Sequence, residues 1–474
     1  MRDARVMRRT LVALGVLAAG CKPAAPAAAP AVASPVAAVG VGIVDTLTHP
    51  AWSRNAVIYE VNVRQFTPEG TLAGVQAHLP RLKALGVDVI WLMPVQPIGK
   101  KNRKGPLGSY YSIADYTAIN PEFGTMADFD ALVAAAHREG IKVLLDWVPN
   151  HTAFDHPWIT EHRAYYVTRA DGTVINARDN EGHDTDWTDV AELNYDNPEL
   201  RTAMIDAMRF WLDRGHVDGF RCDVAGGVPI DFWLQARAAL QKSRPDLFML
   251  AEAEDPRMHA AFDMTYGWEL HHLMNEVAQG KKPVTAFDAY FSRQDSVYGR
   301  GAYRLYFTSN HDENSWNGSE FERMGANAFP MYVLAATARG SMPLLYTGQE
   351  VSLKKRLRFF EKDTVDWKGQ SLAPFYRAVF DLKHGQPALA NGAFGGTQAA
   401  IRTDGGERVY VFERVRGDNV VVVALNFGDT PVSAAYRALP GAGSFTDWFS
   451  KASVSLPSDG KIDIPAHGYR VLVR

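Results

Sequence analysis

Eight short runs of β-branched and aliphatic residues alternate with amphipathic helical stretches through this chain, and no other feature constrains its fold as strongly. The runs are Val57–Val63, Val87–Met93, Lys142–Val148, Val217–Val224, Phe248–Ala251, Asp263–Tyr266, Arg304–Thr308 and Leu344–Thr347. Apolar runs of this length, bounded by turn residues, suit parallel strands buried on both faces. Between the first two, Leu72, Val75, Leu79, Leu82 and Leu85 fall at helical spacing before Gly86, with Pro80 predicting a kink or restart. Strict β–α alternation repeated eight times predicts a (β/α)8 barrel, here over residues 51–386. Between the third run and a helix over Pro198–Arg214 lies a long connection rich in Asp, His and Trp. It reads as a small inserted subdomain, at about 150–197, beside the active face. From 387 to 474 the helical pattern stops. Short runs such as Arg408–Glu413 and Val420–Asn426 alternate with Gly-rich turns, predicting a C-terminal antiparallel β-sandwich.

The N-terminus carries a different message. Arg2, Arg5, Arg8 and Arg9 precede the apolar run Leu11–Ala19, and small residues follow up to Cys21. This is a secretory signal, too short to span a bilayer as a stable helix. Leu17-Ala18-Ala19-Gly20-Cys21 resembles a bacterial lipobox, which implies cleavage after residue 20 and lipidation of Cys21. Residues 22–50 read as a linker, because Lys22 to about Val41 is almost entirely Ala, Pro and Val and cannot build a core. Lys22, rather than Asp, after the lipidated cysteine resembles an outer-membrane signal of double-membrane bacteria. The expected location is therefore that membrane, facing periplasm or exterior. Cys222 is the second of only two cysteines, so there is no disulfide framework. With 50 basic against 53 acidic residues, nothing points to nucleic acid; a monomer is expected.

Side chains at the C-terminal ends of barrel strands point into the active site. The third run ends in Asp146-Trp147-Val148-Pro149-Asn150-His151, and the fourth holds Gly219-Phe220-Arg221-Cys222-Asp223. The fifth leads into Glu252, and the seventh into Asn310-His311-Asp312. A single aspartate at a strand end is as a rule a helix cap, and a lone histidine such as His151 is as often structural. Four acidic or histidine-bearing segments on strands three, four, five and seven form a pattern that chance rarely gives. Glycoside hydrolysis needs one protonated carboxyl to donate to the leaving oxygen and one ionised carboxylate opposite it. Crowding of like charges separates those roles. Arg221, two residues before Asp223 and on the same side of the strand, should keep that carboxylate ionised. His151 and His311 can donate hydrogen bonds to sugar hydroxyls. Cys222 points the other way, toward the helices, and reads as a packing residue.

The segments DWVPNH, GFRCDVA, MLAEAE and TSNHD resemble the four signature regions of the alpha-amylase family. The stretch from Ser109 to Tyr116 resembles the family's segment after the second strand, and PAHGYRVLV its C-terminal domain. The resemblance implies a retaining double displacement on alpha-glucans or malto-oligosaccharides. Asp223 would be the nucleophile, Glu252 the general acid/base and Asp312 the transition-state stabiliser. Arg221 would position Asp223, Tyr111 would stack on the sugar, and His151 and His311 would contact it; Asp146 matches a structural aspartate. Glu254 is a rival for Glu252 on the same side of the strand, and Glu252 is favoured because it directly follows the apolar run. Relatives bind Ca2+ through an asparagine matching Asn150 and a histidine four residues after the nucleophile, here Gly227. Asp184, Asp186 and Asp189 are alternative oxygen donors, and no metal is assigned. A transferase on the same machinery, of branching-enzyme or trehalose-synthase type, stays open, as does a non-catalytic sugar-binding lipoprotein.

Overall fold

The computed structural model describes residues 47–439 and 441–474. The expected signal, Cys21 and most of the linker lie outside them.

Eight parallel strands close into a barrel. They are β1 (Ile58–Val61), β2 (Val89–Leu92), β3 (Lys142–Trp147), β6 (Gly219–Cys222), β7 (Phe248–Ala251), β8 (Met264–Tyr266), β9 (Tyr303–Tyr306) and β10 (Ser341–Tyr346). The gap in numbering is filled by an antiparallel ribbon, β4 (His151–Ala153) with β5 (Val190–Glu192), which builds the insertion after β3. β1 pairs with both β2 and β10, which closes the ring. The first strand is shorter than its apolar run, because Val63 already starts a one-turn helix, Val63–Phe66. The Asn62 amide leaves the ladder to donate to the Thr347 hydroxyl at 3.0 Å. The predicted break at Pro80 is also present: one helix ends at Ala77, and a second, Leu79–Leu85, restarts with proline in its first turn.

Two apolar cores follow from the period-two alternation of each strand. Ile58, Val89, Trp91, Leu144, Phe248 and Leu250 fill the lumen. Their neighbours Tyr59, Ile90, Leu92, Leu145, Phe220, Cys222 and Met249 pack outward against the helices. The same parity sends Glu60, Asp146, Arg221 and Glu252 toward the barrel axis, one layer above the apolar filling. Gly219 is demanded by crowding at the start of β6: a Cβ there would lie 1.9 Å from the Phe248 carbonyl oxygen.

The outer helices are set by local signals. Thr125 and Asp128 form a reciprocal capping box on the helix Met126–Arg138, worth about 1 kcal/mol. Asn197 caps the helix Pro198–Asp213, whose proline occupies the first turn.

The C-terminal region is antiparallel. Strands β11 (Thr397–Ala400), β12 (Val409–Arg416), β13 (Asn419–Asn426), β18 (Gly468–Val473), β15 (Gly443–Asp447) and β16 (Ser453–Leu456) form one sheet in that order. A ribbon of β14 (Val432–Tyr436) and β17 (Gly460–Ile464) shares its core, through Ala434, Tyr436, Ile462 and Ile464. No helix among the described residues is long and apolar enough to cross a membrane.

Candidate active site

Arg221 organises the C-terminal end of the barrel. Its side chain is fully buried, and its guanidinium meets three carboxylates. Nη1 donates to Asp146 Oδ1 at 3.0 Å and to Asp223 Oδ1 at 2.9 Å, while Nη2 lies 3.0 Å from Glu252 Oε1. Nε donates to the Tyr266 hydroxyl at 3.2 Å. The rings of Trp91 and Tyr266 lie 5.0 and 5.6 Å from its central carbon. A planar fork with several donors is the side chain best suited to bridging carboxylates in a dry site.

Strand register brings these groups together. Asp146 on β3 is the direct neighbour of Arg221 on β6, and β7 lies on the other side of Arg221. The Asp223 amide donates to Trp147 O, and the Glu252 amide to Cys222 O, so both residues extend the ladders. Val224, immediately after Asp223, holds φ +44° and ψ 41°, a left-handed conformation costly for a β-branched residue. Its amide donates to Glu252 Oε2 at 2.8 Å, so one carboxylate ties down the strained turn that presents the other.

A second group adjoins the first. His311 Nδ1 lies 2.5 Å from Glu60 Oε1, and Nε2 lies 2.7 Å from the Tyr111 hydroxyl and 3.3 Å from Asp312 Oδ2. Tyr111 stacks on His311 and donates to Asp146 Oδ2, which also accepts from Trp91 Nε1. A phenol has one proton. If Tyr111 gives it to Asp146, His311 must donate from Nε2 as well as Nδ1, which describes an imidazolium. The charges agree: burial opposes protonation, but Asp312 and Glu60 raise His311 to about 9.

The carboxyl groups are driven instead toward their neutral forms. Burial raises Asp223 and Asp146, opposed by Arg221. Burial and the Asp223 charge raise Glu252 to about 6, again against Arg221. Asp312 also rises, chiefly through burial.

Glu254 goes elsewhere. Beyond the end of β7 its carboxylate accepts from Arg304 Nη2 at 2.5 Å and from the Glu269 amide at 2.8 Å, at the start of the helix Trp268–Ala278. Only Glu252 of the two meets Arg221. His151 stands at the root of the insertion, 3.3 Å from the Asn150 side chain and with its ring near Trp187. Burial lowers it to about 3, so it is a neutral imidazole. Cys222 is buried on the outer face of β6 among apolar side chains.

Glu60, Trp91 and Tyr266 complete the site without having been singled out by the sequence reading. A signal for Glu60 existed: it is the one charged residue in the run Val57–Val63.

Asp184, Asp186 and Asp189 do not bring their oxygens together. Asp184 faces Arg178, and Asp189 faces Lys104. Among the described residues, Asp179, Glu181 and His183 are the group whose ligand atoms lie within 4.8 Å of one another. The Asp179 carboxylate there already accepts from the Glu181 and His183 amides, and the His183 ring lies 3.2 Å from it. These contacts order the loop, and Gly227 brings no ligand side chain.

Residues 45–373 match the family described as alpha amylase, catalytic domain, and residues 401–471 match its C-terminal all-beta domain. The chain belongs to the alpha-amylase family. It is 30% identical over 445 residues to the alpha-amylase MalA of Haloarcula japonica, covering 86% of this chain and 63% of that relative. The crystal structure of a noncanonic maltogenic alpha-amylase, AmyB from Thermotoga neapolitana, superposes with a TM-score of 0.80 at 30% identity. That match covers 88% of this chain and 98% of AmyB. An alpha-amylase structure from Lactobacillus plantarum gives 0.80 at 32% identity, over 89% and 99% of the two chains.

Proposed function

We propose that this alpha-amylase family member cleaves alpha-glucosidic bonds in alpha-glucans or malto-oligosaccharides, with retention, through a covalent glycosyl-enzyme intermediate. The observation that carries the reading is Arg221, whose single guanidinium touches Asp223 on one nitrogen and Glu252 on the other. Two carboxyls sharing a cation are close neighbours, as a covalent mechanism requires.

Asp223 is assigned as nucleophile. Arg221 donates to its carboxylate and fixes its orientation, and the strained turn at Val224 fixes its exit from the strand. Glu252, which burial raises to about 6, carries its proton in mildly acidic solution and donates it to the departing oxygen. It then takes a proton from the incoming water as the intermediate is hydrolysed. Asp312, the most open of the three side chains, and the His311 imidazolium bind sugar hydroxyls as charge develops on the ring. Tyr111 offers its ring to the same sugar, and His151 contacts it from the insertion. Asp146 orients Arg221 and Tyr111. No step passes through a metal.

Incubation with a fluorinated glycosyl donor, followed by peptide mass mapping, tests the chemistry. A glycosyl adduct on the Asp223 peptide is expected, and a modified enzyme labelled elsewhere, or none, defeats the mechanism. Product analysis on maltoheptaose, pullulan and isomaltose tests the outcome. Short linear products are expected, whereas longer or rearranged glucosides would mark a transferase.

The lipid anchor is proposed on sequence alone. Cys21 carries the acyl groups, the Ala/Pro-rich linker spaces the monomeric enzyme from an outer membrane, and Cys21→Ser should release it in soluble form. Membrane retention of that variant would remove the proposal.

A further inference from the structure

Two large apolar side chains among the described residues are well exposed, Leu234 and Trp316, and Trp316 is open to 52%. Leu234 lies on an outer helix, whereas Trp316 lies in the turn Glu313–Asn317 that begins directly after Asp312. Its ring rests on Phe359 at 5.4 Å and Phe360 at 5.9 Å. Phe359 in turn lies 6.3 Å from Tyr111, with the two planes only 15° apart, and Tyr111 stacks on His311. An uninterrupted series of rings thus runs from the histidine beside Asp312 out to solvent.

The turn is held rigidly. Asn314 donates to Lys355 O at 3.1 Å and accepts from the Leu357 amide at 2.8 Å, which ties Trp316 to the segment carrying Phe359. Arg356 donates to the Trp316 backbone carbonyl at 3.4 Å and pairs with Glu322 at 3.2 Å, and both charged groups are partly open to solvent. Holding a large aromatic ring half in water, at the end of a series of rings that starts beside the catalytic groups, exposes apolar area that folding alone does not require. A flat aromatic face on a turn that also anchors a guanidinium–carboxylate pair suits a pyranose, which has an apolar C–H face and hydroxyls at its edge.

We propose that Trp316 is a stacking platform for a glucosyl unit remote from the cleaved bond, with Arg356 and Glu322 binding that unit's hydroxyls. The inference rests on the glucan reading above, and deepens it by giving the enzyme a preference for longer chains. The test compares wild type, Trp316→Ala and Trp316→Phe on maltoheptaose and on a p-nitrophenyl alpha-glucoside. Trp316→Ala should lower kcat/KM on maltoheptaose about tenfold, mainly through KM, and leave the short substrate unchanged. Trp316→Phe should keep most of the wild-type value. Equal loss on both substrates, or no loss on maltoheptaose, overturns the platform while the glucan reading stands. A wild type that cleaves neither substrate nor any other alpha-glucan overturns both.

Discussion

At the N-terminal end of the barrel, buried aspartates are matched by cationic and amide donors; at the C-terminal end, carboxylates outnumber the cations. Asp218 accepts from His137, Lys142 and the Val143 amide at 2.7–2.9 Å, and Asp263 accepts from Arg237, His49 and the Met249 amide at 2.6–2.9 Å. Burial would raise both, yet these partners hold them below the usual carboxylate range. At the other end Glu60, Asp146, Asp223, Glu252 and Asp312 share Arg221 and His311, and burial raises every one of them. The same residue types therefore serve opposite purposes. Balanced charges stabilise the bottom of the barrel, and the excess negative charge at the top remains available to a substrate.

The largest effect that sharpens this contrast is on activity. Asp223→Asn should lower kcat on the order of ten-thousandfold while the melting temperature holds or rises, because it removes a carboxylate that its neighbours repel. Glu252→Gln should likewise abolish cleavage of natural glucans, and Glu254→Gln should leave much of it; the reverse result would transfer the acid role to Glu254. A large loss of stability in Asp223→Asn would break the comparison from the top.

Asp263→Ala tests the bottom. It strands Arg237 and should destabilise the fold by about 3–5 kcal/mol in chemical denaturation, with kcat per folded molecule unchanged.

The pH dependence should divide in the same way. Asp218 and Asp263 are lowered, so their contribution is present above the ordinary carboxylate range and is lost as pH falls. Glu252 is raised to about 6, so its contribution is fullest below its unfolded value and is lost as pH rises through about 6. Melting temperatures of Glu252→Gln should therefore fall less than those of wild type from about pH 5 to 7. Asp263→Asn should instead flatten the acid limb. In wild type, kcat/KM should decline above about pH 6 as Glu252 loses its proton.

The smallest effect is expected at Glu60. Glu60→Gln replaces a charge-assisted hydrogen bond to His311 with a neutral one, and should lower kcat/KM about tenfold. The His311 titration, followed by NMR, should shift downward in parallel. A His311 titration that does not move would show that Asp312 alone holds the imidazolium.

Much of this was legible in the sequence, because strand order and side-chain parity are local properties. Apolar runs fixed the order of the eight strands, and period two placed Asp146, Arg221 and Glu252 on one side and Cys222 on the other. Parity could not separate Glu252 from Glu254, and only the position of Glu252 directly after the apolar run favoured it. The separation comes from where β7 ends: beyond Ala251 the chain turns, and Glu254 meets Arg304 of β9 and a helix start instead of Arg221. Nor could it pair Glu60 with His311, 251 residues apart, since only closure of β1 against β10 brings them to one rim.

The sequence by itself determined which residues reach the C-terminal rim, because hydrophobic alternation chooses a face without reference to any partner. The tertiary structure alone decided how those residues share charge. Barrel closure sets five acids around two cations in a space too dry to screen them, and that imbalance depends on distances across the lumen that no local pattern encodes.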